Sequence, residues 1–328
     1  MNRRTLLATG LFASAGRGAR AQQARTDGAW VPTRPLRIVV PFAAGGSTDI
    51  LARLCAQLLT ERLGQSVVAE NVTGAGGTIG AQRVLDAPAD GYTLLAGTPG
   101  PITINPHLQP RIPYAPLRDF EPVAFVGDSP AVVVVRRDSP IRSVRELVER
   151  AKATPGRMSY ASAGVGSFAH LSGELFKWRA DVDLVHVPYR GTAPAATDLI
   201  AGRVDVMFEN YPSVQGYLAA GELRALAIGA VRRSALLPGV PTVAEEGVSG
   251  YESTSWFGLL ARAGTPEAAI ARVNAAIDAG IREPAVAARL ASLGIEPAGG
   301  TPAAFRAYLA RRLEETGKLI RTARITLD

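Results

Sequence analysis

Short β-branched runs alternate with stretches of helical periodicity along most of the chain. LRIVVPF (36–42) is an apolar run broken by Ala43-Ala44-Gly45-Gly46, and from Ile50 to Leu63 apolar residues recur at helical spacing up to Gly64. This predicts a strand, a glycine loop and a helix. SVVAENV repeats the pattern into Gly74-Ala75-Gly76-Gly77 and a helix through Val84, and YTLLAGT is a third strand ending at Thr98-Pro99-Gly100. AVVVVRR (131–137) is apolar enough to be buried on both faces. Ser143 and Glu146 form a capping box for a helix whose apolar face is Val144, Leu147, Val148 and Ala151. MSYASAG, LVHVPYRG, VDVMFEN, LRALAIGA and TSWFGLLA are further strands, while Thr265-Pro266 and Thr301-Pro302 each pair an N-cap with a proline at the first helical position. Such alternation predicts the α/β class, with parallel sheets covered by helices.

At 328 residues the chain is long enough for two compact units. The pattern predicts two α/β units that share strands, with crossing points near Ala131 and Leu223. Residues 34–130 and 227–328 then form one domain, and 131–226 an inserted second one.

The first segment has its own logic. MNRRTLLATGLFASAGRGARAQQ places Arg3 and Arg4 before an apolar run from Leu6 to Ala15, with small residues at Ala19 and Ala21. That is the layout of an export signal over residues 1–21, and the paired arginines resemble a twin-arginine signal. The run is too short to cross a bilayer as a helix. A soluble product exported from the cytoplasm is expected. The segment also changes the charge: it carries four arginines and no acid, so without it the formal net charge drops from +7 to +3. The remaining basic residues are interleaved with acids, which is no nucleic-acid footprint. A single cysteine, Cys55, in LARLCAQLL, excludes an internal disulfide and any CxxC metal site, and its setting reads as a buried small hydrophobe.

Four glycine-rich turns follow predicted strands: PFAAGGSTD (41–49), NVTGAGGTIGA (71–81), GTPGPITINP (97–106) and SYASAGVGSFAH (159–170). The carboxyl edge of an open α/β sheet is where ligands bind. Glycine lets backbone N–H groups approach a ligand, and the following helix adds its positive end. None of the four loops contains Lys or Arg, so an anion there would be held by amides and by Ser47, Thr48, Thr98, Ser162 and Ser167. Asp49, at a helix start, reads as a cap of the first turn. His170 either donates to a ligand or caps and packs. His186 reads as structural, His107 as a surface residue, and Arg190 in VPYRG is the nearest charged candidate.

Enzymatic readings fit less well. YASAG resembles a nucleophile elbow around Ser162, but Tyr160 stands in place of its first glycine and no histidine follows His186. GAGGTIG puts Ile79 where a dinucleotide fingerprint needs its third glycine. There is no Walker loop and no HExxH, and the scattered histidines and lone cysteine leave no metal cluster. No cofactor, no metal and no catalytic residue is assigned.

PFAAGGSTDILAR, ENVTGAGGTIGA, INPHL, SAGVGSFAHL, VPYRGTAPAATDLIAGRVDVMFEN and SWFGLLARAGTP, in this order, resemble the Bug family of periplasmic solute receptors for tripartite tricarboxylate transporters. The resemblance implies a two-domain type II periplasmic-binding-protein fold with a ligand cleft between the domains, a carboxylate ligand and a membrane permease as partner. Carried over by position, Phe42, Gly45, Gly46, Ser47, Thr48, Gly76, Gly77 and Thr98 would grip one carboxylate from the first domain. Ser162, Ala163, Gly166, Ser167, His170, Glu209 and Asn210 would close from the second. Glu209 departs from the Asp-Asn pair of many relatives by one methylene. The expected function is non-catalytic capture by a monomeric receptor. A secreted hydrolase using Ser162, or a sensor presenting its ligand to a signalling partner, are the alternatives.

Overall fold

The computed structural model describes residues 30–327, so the export signal read over residues 1–21 lies outside the described residues. The chain opens with β1 (Leu36–Val40), α1 (Ser47–Leu63), β2 (Val67–Asn71), α2 (Thr78–Leu85) and β3 (Thr93–Gly97). Two single turns of helix, α3 (Asn105–Leu108) and α4 (Pro116–Asp119), lead into the long β4 (Phe120–Arg136). Then come α5 (Val144–Ala153), β5 (Ser159–Ser162), α6 (Phe168–Ala180), β6 (Val185–Pro188), α7 (Thr192–Ile200), β7 (Val206–Asn210), α8 (Tyr211–Ala219) and β8 (Leu223–Ile228). The chain ends through β9 (Thr254–Arg262), α9 (Glu267–Ile281), α10 (Pro284–Ser292), the two-residue β10 (Glu296–Pro297) and α11 (Pro302–Ala323).

The strands join in the order β2-β1-β3-β9-β4-β7-β5-β6, with β8 and β10 also pairing with β4. β4 belongs to both halves. Its first part pairs with β9 from Phe120↔Arg262 to Pro130↔Thr254, and its last part with β7 from Ala131↔Asn210 to Val134↔Met207. The sheet is mixed, which corrects the expectation of purely parallel sheets: β9 runs antiparallel to β3 and β4, and β4 antiparallel to β7 and β8. A strand buried on both faces reads as a continuous apolar run whichever way it points, so the pattern carried no direction.

Helices cover both faces. Ile38 and Val40 of β1 pack with Leu51, Leu58 and Leu59 of α1 and Ile277 of α9, while Val39 packs on the other face with Val84 of α2 and Phe305 and Leu309 of α11. The same alternation divides β4, where Val133 and Val135 face α5 and α6, and Val132 and Val134 face α7 and α8. Val243, Val248 and Tyr251, after β8, belong to the Val133 cluster, and Cys55 is a buried member of the first. Burial pushes its thiol up to about 12.

The caps follow the sequence in two of three places. Ser143 accepts from Glu146 N–H and Thr301 from Ala304 N–H. Thr265 does not cap α9; its hydroxyl donates to the Arg262 carbonyl at 2.7 Å, and Pro266 takes the N-cap position with no side-chain bond. Among the described residues no helix is long and apolar enough to cross a membrane.

Candidate functional site

β1, β2 and β3 are parallel to one another, so the loops at their carboxyl ends leave one edge of the first half. β5, β6 and β7 are likewise parallel in the second. The two sets of loops meet around an open cavity of about 490 Å3, lined by Phe42 and residues 73–77 on one side and by residues 163–165 and 188–190 on the other.

Each wall is fixed from behind. In the first loop Asp49 makes no bond to the first-turn amides of α1, whose N-cap is Gly46, and instead ties the loop: its carboxylate accepts from Gly45 N–H at 3.0 Å, Asn71 Nδ2 at 2.9 Å and the Arg53 guanidinium at 2.9 and 3.0 Å. Burial pushes its pKa up, but the bonds from Arg53, Gly45 and Asn71 and the Arg53 charge outweigh it and hold the group below the ordinary aspartate value. Asn71 also donates to the Phe42 carbonyl at 2.9 Å, tying the loop to the end of β2. The second loop is a single 3₁₀ turn, Ala75–Gly77, with Gly76 at φ +60° and Gly77 at φ +95°. Asn105 holds it, its Nδ2 donating to the Gly76 carbonyl at 3.0 Å and the Ala75 carbonyl at 3.3 Å. The turn presents glycines because the backbone there sits in the left-handed region.

The opposite wall rests on two histidines. Ser162 Oγ lies 2.7 Å from His186 Nε2 and accepts from Gly164 N–H at 3.1 Å. His170 Nδ1 accepts from Gly166 N–H at 3.2 Å, and the two imidazoles stack with centroids 4.3 Å apart. Burial pushes both down to about 4, helped by Lys177 for His170, and for His186 by His170 and Lys177 against Glu174. The imidazoles are therefore neutral near pH 7. Tyr189 is fixed at its far end, where its hydroxyl donates to Asp198 at 2.8 Å.

The halves touch along a seam beside the cavity. Ser47 N–H donates to Ser213 Oγ at 2.7 Å, and the two hydroxyls are 2.6 Å apart. Nearby, glycines let the halves approach closely. A Cβ on Gly76 would overlap the Val165 carbonyl and one on Gly166 the Asn105 carboxamide, while one on Gly191 would stand 2.6 Å from Ala43 Cβ.

Of the residues singled out by sequence, Phe42, Gly76, Gly77 and Ala163 line the cavity. Gly45 is exposed in the first loop, Gly46, Ser47 and Thr48 are buried at the start of α1, and Thr98 is buried beyond β3. Ser162, Gly166, Ser167 and His170 stand behind the second wall, where Ser167 caps α6 by accepting from His170 N–H at 3.2 Å. Glu209 and Asn210 are buried at the end of β7. Arg190 is exposed, is the one charged residue among those lining the cavity, and forms no ion pair among the described residues. Thr73, Pro188 and Tyr189 line the cavity without having been singled out. Asn105, Thr192 and Ser213 are not singled out by the sequence either, while His186 has the structural role read for it, holding Ser162.

For the hydrolase alternative, Ser162 and His186 have the distance of a nucleophile and base. Ser162 is fully buried, however, and its hydroxyl is engaged by its own loop. Among the described residues no group of His, Cys, Asp and Glu could hold a metal ion.

The model of the tripartite tricarboxylate transporter family receptor matches residues 51–325. The chain is 39% identical to Protein BugT of Bordetella pertussis over 291 residues, 88% of this chain and 89% of that protein. Among solved structures it is similar to R. palustris Rpa4515 with adipate, at TM-score 0.87 and 39% identity over 90% of this chain and 99% of that one. It is also similar to MatC (Rpa3494) from Rhodopseudomonas palustris with bound malate, at TM-score 0.84 and 34% identity over 88% and 99%.

Proposed function

The chain belongs to the family of tripartite tricarboxylate transporter receptors, and from that premise we propose that it captures a small carboxylate by closure of its two halves. It is a non-catalytic, monomeric receptor of the periplasm that hands its ligand to a membrane permease of the tripartite tricarboxylate type. The observation that carries this reading is the cavity of about 490 Å3 walled by glycine loops from both halves. Amide groups of residues 73–77 and 163–165, with Arg190 at the rim, supply the attraction for an anion. The acids bound by the two similar structures, adipate and malate, fit that class.

For the closing motion we take residues 34–130 with the C-terminal part of the chain as one body. The joints are β4 at Asp128 to Ala131 and the chain entering β9 at Tyr251 to Thr254, where Ala131 N–H donates to the Ser253 carbonyl. This moves the second crossing from Leu223 to the end of the segment that packs with the Val133 cluster. The test is a thermal-shift panel of di- and tricarboxylates, amino acids and aromatic acids. An acid at a hundredfold its Kd stabilises by about 2.7 kcal/mol, which a melting curve resolves. No shift with any member would overturn the receptor reading.

A further inference from the structure

Glu209 is the next-to-last residue of β7, near the seam between the halves, and it is 3% exposed. Its carboxyl has only neutral partners: Oε2 accepts from the Thr192 hydroxyl at 2.9 Å, and Oε1 from Asn210 N–H at 2.8 Å and Asn210 Nδ2 at 3.4 Å. Thr192 stands against the other half, since a Cβ on Gly46 would lie 3.5 Å from its Oγ1 and 3.9 Å from Ser213 Oγ. One side chain separates the carboxyl from the surface that moves. Among the described residues its hydrogen-bond partners bring no cation: α7 contributes Thr192, the chain itself Asn210, and β4 sets Val132 opposite it in register. Beyond Thr192 lies the Ser47–Ser213 pair, and Asp49 of α1 is paired with Arg53.

We propose that Glu209 is a proton-binding site linked to ligand capture: when the halves close over a carboxylate, the seam strips water from Glu209 and its carboxyl takes up a proton. The inference rests on the receptor reading above. A buried carboxylate without a cation is costly, and protonation removes the cost. Burial pushes Glu209 up to about 7 against the bonds from Asn210 and Thr192, so the uptake falls near neutrality. His170 and His186, held at about 4, do not titrate there. Capture then strengthens as pH falls through 7, while ordinary carboxylic acids stay ionised.

The experiment is calorimetric titration of the full chain with adipate, at pH 6, 7 and 8.5, in pairs of buffers that differ in ionisation enthalpy. Wild type takes up a fraction of a proton at pH 7, and its affinity rises by up to about tenfold per pH unit as pH falls. Glu209→Gln binds with a flat pH profile and no buffer-dependent heat. Glu209→Asp keeps a titrating carboxyl and keeps the slope. Adipate binding by wild type without buffer-dependent heat overturns the proposal and leaves the receptor reading standing. Equal uptake by Glu209→Gln overturns it too. If neither adipate nor any acid of the panel binds, the receptor reading falls and this inference with it.

Discussion

Gly76→Ala separates closure from folding. Gly76 has φ +60°, and an added Cβ would overlap the Val165 carbonyl of the opposite half and stand 2.8 Å from Asn105 Nδ2. Two costs follow. The left-handed backbone costs alanine about 1–2 kcal/mol in every state of the protein. The clash with Val165 exists only when the halves touch, and overpacking of that kind costs about 1–3 kcal/mol. Gly45 is the control for the first cost, since it has φ +84° and nothing within 4 Å of its Cβ position. Gly46 is the control for both, because its φ is −80° and the nearest atom, Thr192 Oγ1, is at an ordinary 3.5 Å. Gly76→Ala should lower the ligand-free melting temperature at least as much as Gly45→Ala, because its Cβ also meets Asn105 Nδ2 within its own half. In calorimetric titration with an acid that the thermal-shift panel shows to bind, Gly76→Ala should bind about 5- to 150-fold more weakly than wild type, with Gly45→Ala and Gly46→Ala within about threefold of it. Were Gly76→Ala to bind as Gly45→Ala does, the backbone contact across the seam would have no part in capture.

Three further outcomes follow from the same geometry. Ser213→Ala leaves Ser47 N–H without its partner when the halves close, and should weaken binding by about five- to thirtyfold with an unchanged ligand-free melting curve. Asp49→Asn should destabilise the protein in urea by about 1–3 kcal/mol at pH 7. Because Asp49 is held below its ordinary 3.8, its contribution is present above that pH, and the gap to wild type should narrow as pH falls below about 4. Generic p-nitrophenyl esters should turn over at the same background rate with wild type and Ser162→Ala; a rate lost in the variant would revive the hydrolase reading.

The strands and glycine turns were legible because both are local. A β-branched run that stops at glycine encodes its own end, and Gly45, Gly74, Gly76, Gly77, Gly164 and Gly166 all take the positive φ that such turns need. Strand direction at β9 and β4 was not legible, since a doubly buried strand alternates nothing. The seam was equally silent. Ser47 and Ser213 lie 166 positions apart, and Thr192 meets Glu209 only once α7 is laid beside β7. Tyr189 was hidden differently: an aromatic at a strand end reads as core until the bond from its hydroxyl to Asp198 leaves its ring beside the cavity. Glu209 was read as a ligand contact from its position alone, while its burial without a cation became visible only in three dimensions.

Beside the cavity the seam is built from weak contacts, and this suits a receptor that must release what it binds. A buried ion pair across the halves would cost about 3–5 kcal/mol to break on opening if either charge stayed buried, which alone would favour the closed form by two to nearly four orders of magnitude. The Asp49–Arg53, Asp198–Arg203 and Lys177–Glu174 pairs each lie within one half. Between the halves near the cavity stand glycine against backbone, Gly191 against Ala43, and one serine pair. Moving such a pair of states from 1:99 to 99:1 takes a ligand that prefers the closed one by about 10⁴-fold. A carboxylate reached by amides of both glycine walls would prefer the closed form, because it would meet one wall in the open form and two in the closed one.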